Sequence, residues 1–184
     1  NEILDITKIE AGKMAIVPVE YSFSTMLDEV TGMMDFKAKE KNLDFYVEID
    51  QEIPDKLYGD DIHIKQVLVN LLGNAFKYTA EGCVTMRVSL LPESNEQQVK
   101  ILFEVKDTGQ GIKQEDIDRI MIPYERIDVN KNRNIEGSGL GLPITFRLLA
   151  EMGSKMKVDS EYGKGSVFSF ALQQGIVEAT PIKE

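Results

Sequence analysis

Cysteine occurs once, at Cys83, tryptophan not at all, and His63 is the sole histidine. A lone cysteine excludes an internal disulfide and a cysteine-based zinc cluster, and it fits a reducing, cytoplasmic compartment. No stretch approaches the roughly 18 consecutive apolar residues of a membrane-spanning helix. The opening Asn1-Glu-Ile-Leu-Asp5 also lacks the basic and apolar regions of a signal peptide, so no direct membrane contact is expected. Basic residues are in the minority, 21 against 31 acidic, and no basic run exceeds two residues. A formal charge of -10 repels a phosphate backbone, which argues against nucleic acid as a partner. A nucleotide triphosphate is also an anion, so binding one here requires a metal ion, helix-end dipoles and a few local cations.

What is present is enough for one globular domain: 184 residues, 42% of them hydrophobic. The absence of an initiating Met, with a start that reads as helix interior, leads us to expect a fragment of a longer protein. Ile3, Leu4, Ile6 and Ile9 sit among charged residues and Gly12 follows as a C-cap, so residues 1–12 read as a helix tail. The domain proper is expected over 13–173, with 174–184 as a C-terminal linker. Residues 14–21 predict a strand, placed at an edge by Pro18. Ser22 or Ser24 caps a helix with Phe23, Met26, Leu27, Val30, Met33 and Met34 at helical spacing. A strand follows at 43–49, a break at 54–59, and a second helix from about Asp60. Strands are expected at 83–90 and 98–106, a short helix over Glu115 to Met121, and a loop over 121–138. A third long helix over 139–152 precedes a strand pair near 155–160 and 166–172. The prediction is an α/β two-layer sandwich: a mixed, mostly antiparallel sheet of about five strands covered on one face by three helices.

Three segments carry chemistry. In the second helix Ile64, Val67, Leu68, Leu71, Leu72 and Ala75 form one stripe, while Gln66, Asn70 and Asn74 follow at four-residue steps on another. Asn is unusual in a helix interior. Two amide oxygens on one face can ligate a hard cation, magnesium rather than zinc, with water and phosphate completing the shell. Lys77, near the same face, can reach a phosphate and Tyr78 can lie against a base. The alternative is a solvated helix face.

The second segment is Asp107-Thr-Gly109-Gln-Gly111. Along 98–106, Val99, Ile101, Phe103 and Val105 alternate with Lys100, Glu104 and Lys106, Leu102 being the exception, and period two carries Asp107 onto the apolar side. A carboxylate aimed at a core costs ~1–3 kcal/mol unless a donor meets it. The glycines clear space beside it for a planar ligand, and the amino group of a purine is a suitable donor. The alternative is an Asp-x-Gly turn cap. The third segment, Gly137-Ser-Gly139-Leu140-Gly141-Leu142, opens the third helix, whose terminal amides favour phosphate, with Lys131 and Arg133 just before it. It is not a dinucleotide fingerprint, since no strand precedes it, and Gly163-Lys-Gly165-Ser166 is no P-loop. A glycine-rich hinge is compatible with both readings.

In this order the three segments resemble the N, G1 and G2 boxes of sensor histidine kinase catalytic domains, whose Bergerat-type fold is shared with gyrase B, Hsp90 and MutL. Gly163-Lys-Gly165-Ser166-Val-Phe168 resembles a fourth box, G3, and the likeness spans about 14–172. It implies ATP and Mg2+ as ligands: Asn70 and Asn74 on the metal, Asp107 on the adenine amino group, Lys77 and Arg133 on phosphates, Tyr78 near the adenine and Ser166 lining its pocket. Gly109, Gly111, Ile112, Gly137, Gly139, Leu140, Gly141 and Leu142 complete the expected cofactor-binding set. A lid between G1 and G2 closes over the phosphates. Residues 3–13 are similar to the end of the dimerisation helix that precedes such domains.

Where hydrolysing relatives carry a water-activating glutamate, this chain has Asn70, and an amide cannot take a proton from water. Phosphotransfer is thereby favoured over hydrolysis. The resemblance further implies a phosphoacceptor histidine on a dimerisation helix absent from this segment, a response-regulator receiver domain as partner, a homodimeric parent that can be anchored in the inner membrane, and a monomeric isolated domain. Two departures stand out. The F box reads Ile120-Met-Ile-Pro-Tyr124-Glu-Arg126, and His63 is expected to be structural or solvent-facing. A binding module that uses nucleotide only to engage partners, and a hydrolysing ATPase of the same fold, are the competing readings.

Overall fold

The computed structural model describes residues 16–120 and 141–181. Strand β1 (Val19–Ser22) runs straight into helix α1 (Phe23–Lys41). The turn is made by Ser22, whose side chain accepts from the Thr25 N–H as an N-cap, and by Asp55, which accepts the Ser24 N–H at 2.8 Å. Asn42 ends the helix in the left-handed region, its N–H returning to the Ala38 carbonyl. Strands β2 (Asp44–Ile49) and β3 (Pro54–Gly59) lead to helix α2 (Asp61–Tyr78). Its N-cap, Asp60, accepts the His63 N–H at 3.1 Å and the Val17 N–H at 2.9 Å. His63 is bound to that same carboxylate through Nδ1, so its place is structural.

Strands β4 (Cys83–Leu90) and β5 (Gln98–Asp107), helices α3 (Gln114–Ile120) and α4 (Gly141–Glu151), and strands β6 (Lys157–Glu161) and β7 (Gly165–Pro181) complete the described chain. The sheet has seven strands in the order β1-β3-β7-β5-β4-β2, with β6 paired to β7. Among the described strands only the β2–β4 pairing is parallel. The long helices cover one face. Phe23, Leu27 and Met34 from α1, Ile64, Leu68 and Leu72 from α2, and Leu148 from α4 are buried with Met86, Phe103 and Phe170 of the sheet. Phe103 stacks on Phe170 at 4.9 Å and meets the edge of Phe23 at 6.1 Å.

The structure corrects the sequence reading in two places: one adds a strand, giving seven where about five were expected, and the other lengthens the last strand. Residues 54–59 are strand β3, not a break: Pro54 takes the first strand position, where its missing N–H costs little, and Leu57 is fully buried. Strand β7 continues to Pro181, so 174–181 is sheet where a linker was expected, and Leu57 and Tyr58 pair with Ile176 and Gly175. Gln174 in this extension is buried and accepts the Tyr21 hydroxyl at 2.9 Å. Ending the chain at residue 173 therefore strips β3 of its central partner; a loss of several kcal/mol is expected, read as a lower urea midpoint. The readings at 1–12 and 121–138 lie outside the described residues.

Candidate functional site

Alternation along β5 brings Val99, Ile101, Phe103, Val105 and Asp107 to one buried face. Asp107 ends the strand, opposite Val84 of β4 and Ser166 of β7. It is 8% exposed, and its carboxylate accepts the Gly109 N–H at 2.9 Å and the Ser166 backbone N–H. Burial pushes its pKa above the usual carboxylate range, and those two bonds pull only part of the way back. No side-chain cation pairs with it among the described residues.

The loop after Asp107 is held by its backbone. Thr108 N–H donates to the Cys83 carbonyl at 3.2 Å, Gln110 N–H to the Tyr78 carbonyl at 3.4 Å, and Gly163 N–H to the Gln110 carbonyl at 2.6 Å. Ile112 N–H donates to Ser160 Oγ at 2.7 Å, and Ser160 Oγ lies 2.8 Å from Ser166 Oγ. The end of α2, the start of β4 and the β6–β7 turn thus converge on five residues. Gly109 makes the convergence possible, because a Cβ there would stand 2.5 Å from the Tyr78 carbonyl oxygen and 3.0 Å from Asp107 Oδ1.

On α2 the core stripe and the amide stripe separate as the spacing requires. Ile64, Val67, Leu68, Leu71 and Leu72 are buried, while Gln66, Asn70 and Asn74 are half-buried. Asn70 Nδ2 donates to Thr145 Oγ1 of α4 at 3.3 Å, which leaves Oδ1 as the acceptor. Lys77 Nζ lies 5.7 Å from the centre of the Tyr78 ring, and partial burial raises the Tyr78 phenol above its ordinary pKa. Among the described residues no three His, Cys, Asp or Glu side chains gather as a metal site. A metal here would be held by amide and phosphate oxygens, a donor set that suits a hard cation.

Of the residues singled out in the sequence, Tyr78, Asp107, Gly109, Gly111, Ile112 and Ser166 are gathered around this loop, with Lys77 against Tyr78. Asn70 is tied to α4, Asn74 lies one turn further along the same helix, Gly141 is the first residue of α4, and half-buried Leu142 packs on the core. Arg133, Gly137, Gly139 and Leu140 lie outside the described residues. Sequence reasoning missed Thr79, Thr145 and Ser160. Thr145 and Ser160 gave no signal, since they meet Asn70 and Ile112 only through the fold. Thr79 directly follows Lys77-Tyr78, and its position as C-cap of the amide-bearing helix was a usable sign. The open groove between the start of α1 and strands β2 and β4 contains none of these residues.

A family model, the histidine kinase-, DNA gyrase B-, and HSP90-like ATPase, matches residues 59–176. The chain is 41% identical over 180 residues to hybrid signal transduction histidine kinase B of Dictyostelium discoideum, covering 98% of this chain and 9% of that protein. It is 37% identical to the sensory/regulatory protein RpfC of Xanthomonas campestris pv. campestris, covering 100% and 25%, and 34% identical to the signal transduction histidine-protein kinase BarA of Escherichia coli, covering 92% and 18%. The chain therefore spans a quarter or less of the length of these curated relatives. Among solved structures it is similar to full-length ShkA in complex with AMPPNP, with TM-score 0.81 and 27% identity over 98% of this chain and 36% of that one. The catalytic domain of histidine kinase ThkA, in a nucleotide-free form, gives TM-score 0.63 and 27% identity over 85% and 97%.

Proposed function

The chain belongs to the histidine kinase-, DNA gyrase B-, and HSP90-like ATPase family, and from that premise we propose that it is the ATP-binding catalytic domain of a two-component histidine kinase. It binds Mg-ATP and presents the γ-phosphate to a histidine on a separate dimerisation helix. The observation that carries this reading is Asp107, a buried carboxylate met among the described residues by backbone N–H groups alone, beside a loop whose glycine lets the backbone pack close to it. Such a group is costly unless a further donor reaches it, and the exocyclic amine of adenine is a donor of the right kind. Guanine presents a carbonyl oxygen at the same position, which a carboxylate repels.

Asn70 and Asn74 would hold the magnesium ion. When bound, that ion neutralises charge on the phosphates. Lys77 and Arg133 supply cations to an otherwise acidic chain, and the N-terminal amides of α4 add a favourable dipole. Phosphoryl transfer needs positioning and charge stabilisation more than covalent participation by the protein, so these residues suffice on the ATP side. Asn70, fixed by Thr145, offers no general base for water, which favours transfer over hydrolysis. A response-regulator receiver domain is the expected downstream partner. The parent is expected to be a homodimer and the isolated domain a monomer. No described helix is long and apolar enough to cross a membrane.

The test mixes the domain with a fragment carrying a phosphoacceptor helix of this kinase class and γ-labelled ATP. Acid-labile phosphohistidine on the partner, absent with either component alone, is the expected result. Rapid release of inorganic phosphate by the isolated domain would place the chain with the hydrolysing members of the family instead.

A further inference from the structure

Thr79 is fully buried, and its Oγ1 is the buried side-chain atom left without a hydrogen-bond partner among the described residues. It is also not placed at random. A point one bond off the Gly109 Cα lies 2.9 Å from Thr79 Oγ1 and 3.0 Å from Asp107 Oδ1, so the hydroxyl and the carboxylate both close on the same glycine. Among the described residues Asp107 accepts backbone N–H groups but no side-chain donor, and Thr79, close to the same glycine, holds an unused hydroxyl proton. A buried hydroxyl without a partner costs about 1–3 kcal/mol, and such groups are few in folded proteins. Its place beside the one carboxylate that awaits a ligand gives it a use.

We propose that Thr79 is a positioning residue of the base pocket, whose hydroxyl orients the Asp107 carboxylate toward the exocyclic amine of the bound purine. The inference rests on the base-pocket reading given above and deepens it. In the free protein the hydroxyl has no partner among the described residues. When the base enters, the carboxylate turns its remaining lone pairs to the amine, and Thr79 donates to the carboxylate from behind. Asp107 then keeps a full set of donors in a site that has lost water. Thr79 touches no substrate atom and acts only through Asp107.

This assignment predicts opposite signs for stability and binding in one variant. Thr79→Val keeps the shape and removes the hydroxyl, so the thermal midpoint of the free domain should hold or rise, whereas a hydroxyl with a structural role would lower it. The dissociation constant for ATP in excess magnesium, measured by calorimetry, should increase by about 10-fold, the size of one hydrogen bond to a charged group. Thr79→Ser should bind like the wild type. Purine riboside triphosphate, which lacks the amine, should bind wild type and Thr79→Val equally, since the amine is what Thr79 serves.

Equal affinity of wild type and Thr79→Val for ATP would overturn the proposal. So would an equal loss for both nucleotides, or a lowered midpoint of the free variant, each of which marks a structural role. Asp107→Asn serves as the control. If it loses ATP binding while Thr79→Val does not, this inference alone fails; if it binds ATP as the wild type does, the base pocket is misplaced and the inference falls with it.

Discussion

Gly111→Ala is expected to lower stability by about 3–5 kcal/mol, one of the largest effects any single methyl group can have in this chain. Gly111 has φ +72°, which costs an L-residue about 1–2 kcal/mol. The added Cβ would also stand 2.2 Å from the Glu161 carbonyl oxygen and 2.9 Å from the Tyr162 Cα, backbone atoms where β6 passes into the β6–β7 turn. That turn cannot move alone, because Gly163 N–H is bonded to the Gln110 carbonyl and Ser160 accepts from Ile112. Displacing it breaks bonds worth about 1 kcal/mol each. Gly153 provides the comparison: it has φ +75° with nothing within 4 Å of the added Cβ, so Gly153→Ala should show the conformational cost alone. Urea titrations of the two variants, at equal m, separate the contributions. A Gly111→Ala variant no weaker than Gly153→Ala would show that the loop and the turn are not held together as described.

The second large effect is on binding. Asp107→Asn should weaken ATP about 10- to 100-fold, the range for removing the charge from a buried, charge-assisted hydrogen bond. The same substitution should not weaken the free domain near neutral pH. Desolvation raises the Asp107 pKa in the folded state, so its contribution to stability is fully present below its unfolded pKa and is lost as pH rises through the folded value. At neutral pH the ionised carboxylate is therefore a net cost, and an amide relieves it. Nucleotide affinity runs the other way. As pH falls through the raised pKa the acceptor is protonated, so ATP binding should begin to fail at a higher pH than an ordinary carboxylate would give. Calorimetry across pH, with Asp107→Asn as the pH-insensitive reference, checks both signs.

The legibility of this chain follows from where its signals were local. Alternation in β5 placed Asp107 on the buried face because strand period is fixed at two, and the structure has it there. Helical spacing separated Leu68 and Leu72 from Asn70 and Asn74 for the equivalent reason. Strand β3 was hidden because Pro54 and Gly59 punctuate it, and its identity as a strand comes from β1 and β7 on either side rather than from propensity. The extension of β7 past residue 173 was hidden likewise, since its pairing with β3 joins residues more than a hundred apart. The fold class and its helical layer could be read; the number of strands could not. At the site, the glycine and amide motifs were visible as residue types, whereas Ser160, Thr145 and Thr79 gain meaning only from three-dimensional neighbours.

The measurement that tests the account most directly is calorimetric titration of the domain with AMPPNP, with and without magnesium. The account predicts saturable one-to-one binding that weakens at least about 10-fold without magnesium, as expected when a metal offsets charge between a triphosphate and a chain of formal charge -10. No binding at millimolar AMPPNP in excess magnesium, by a domain whose cooperative unfolding shows it to be folded, would contradict it.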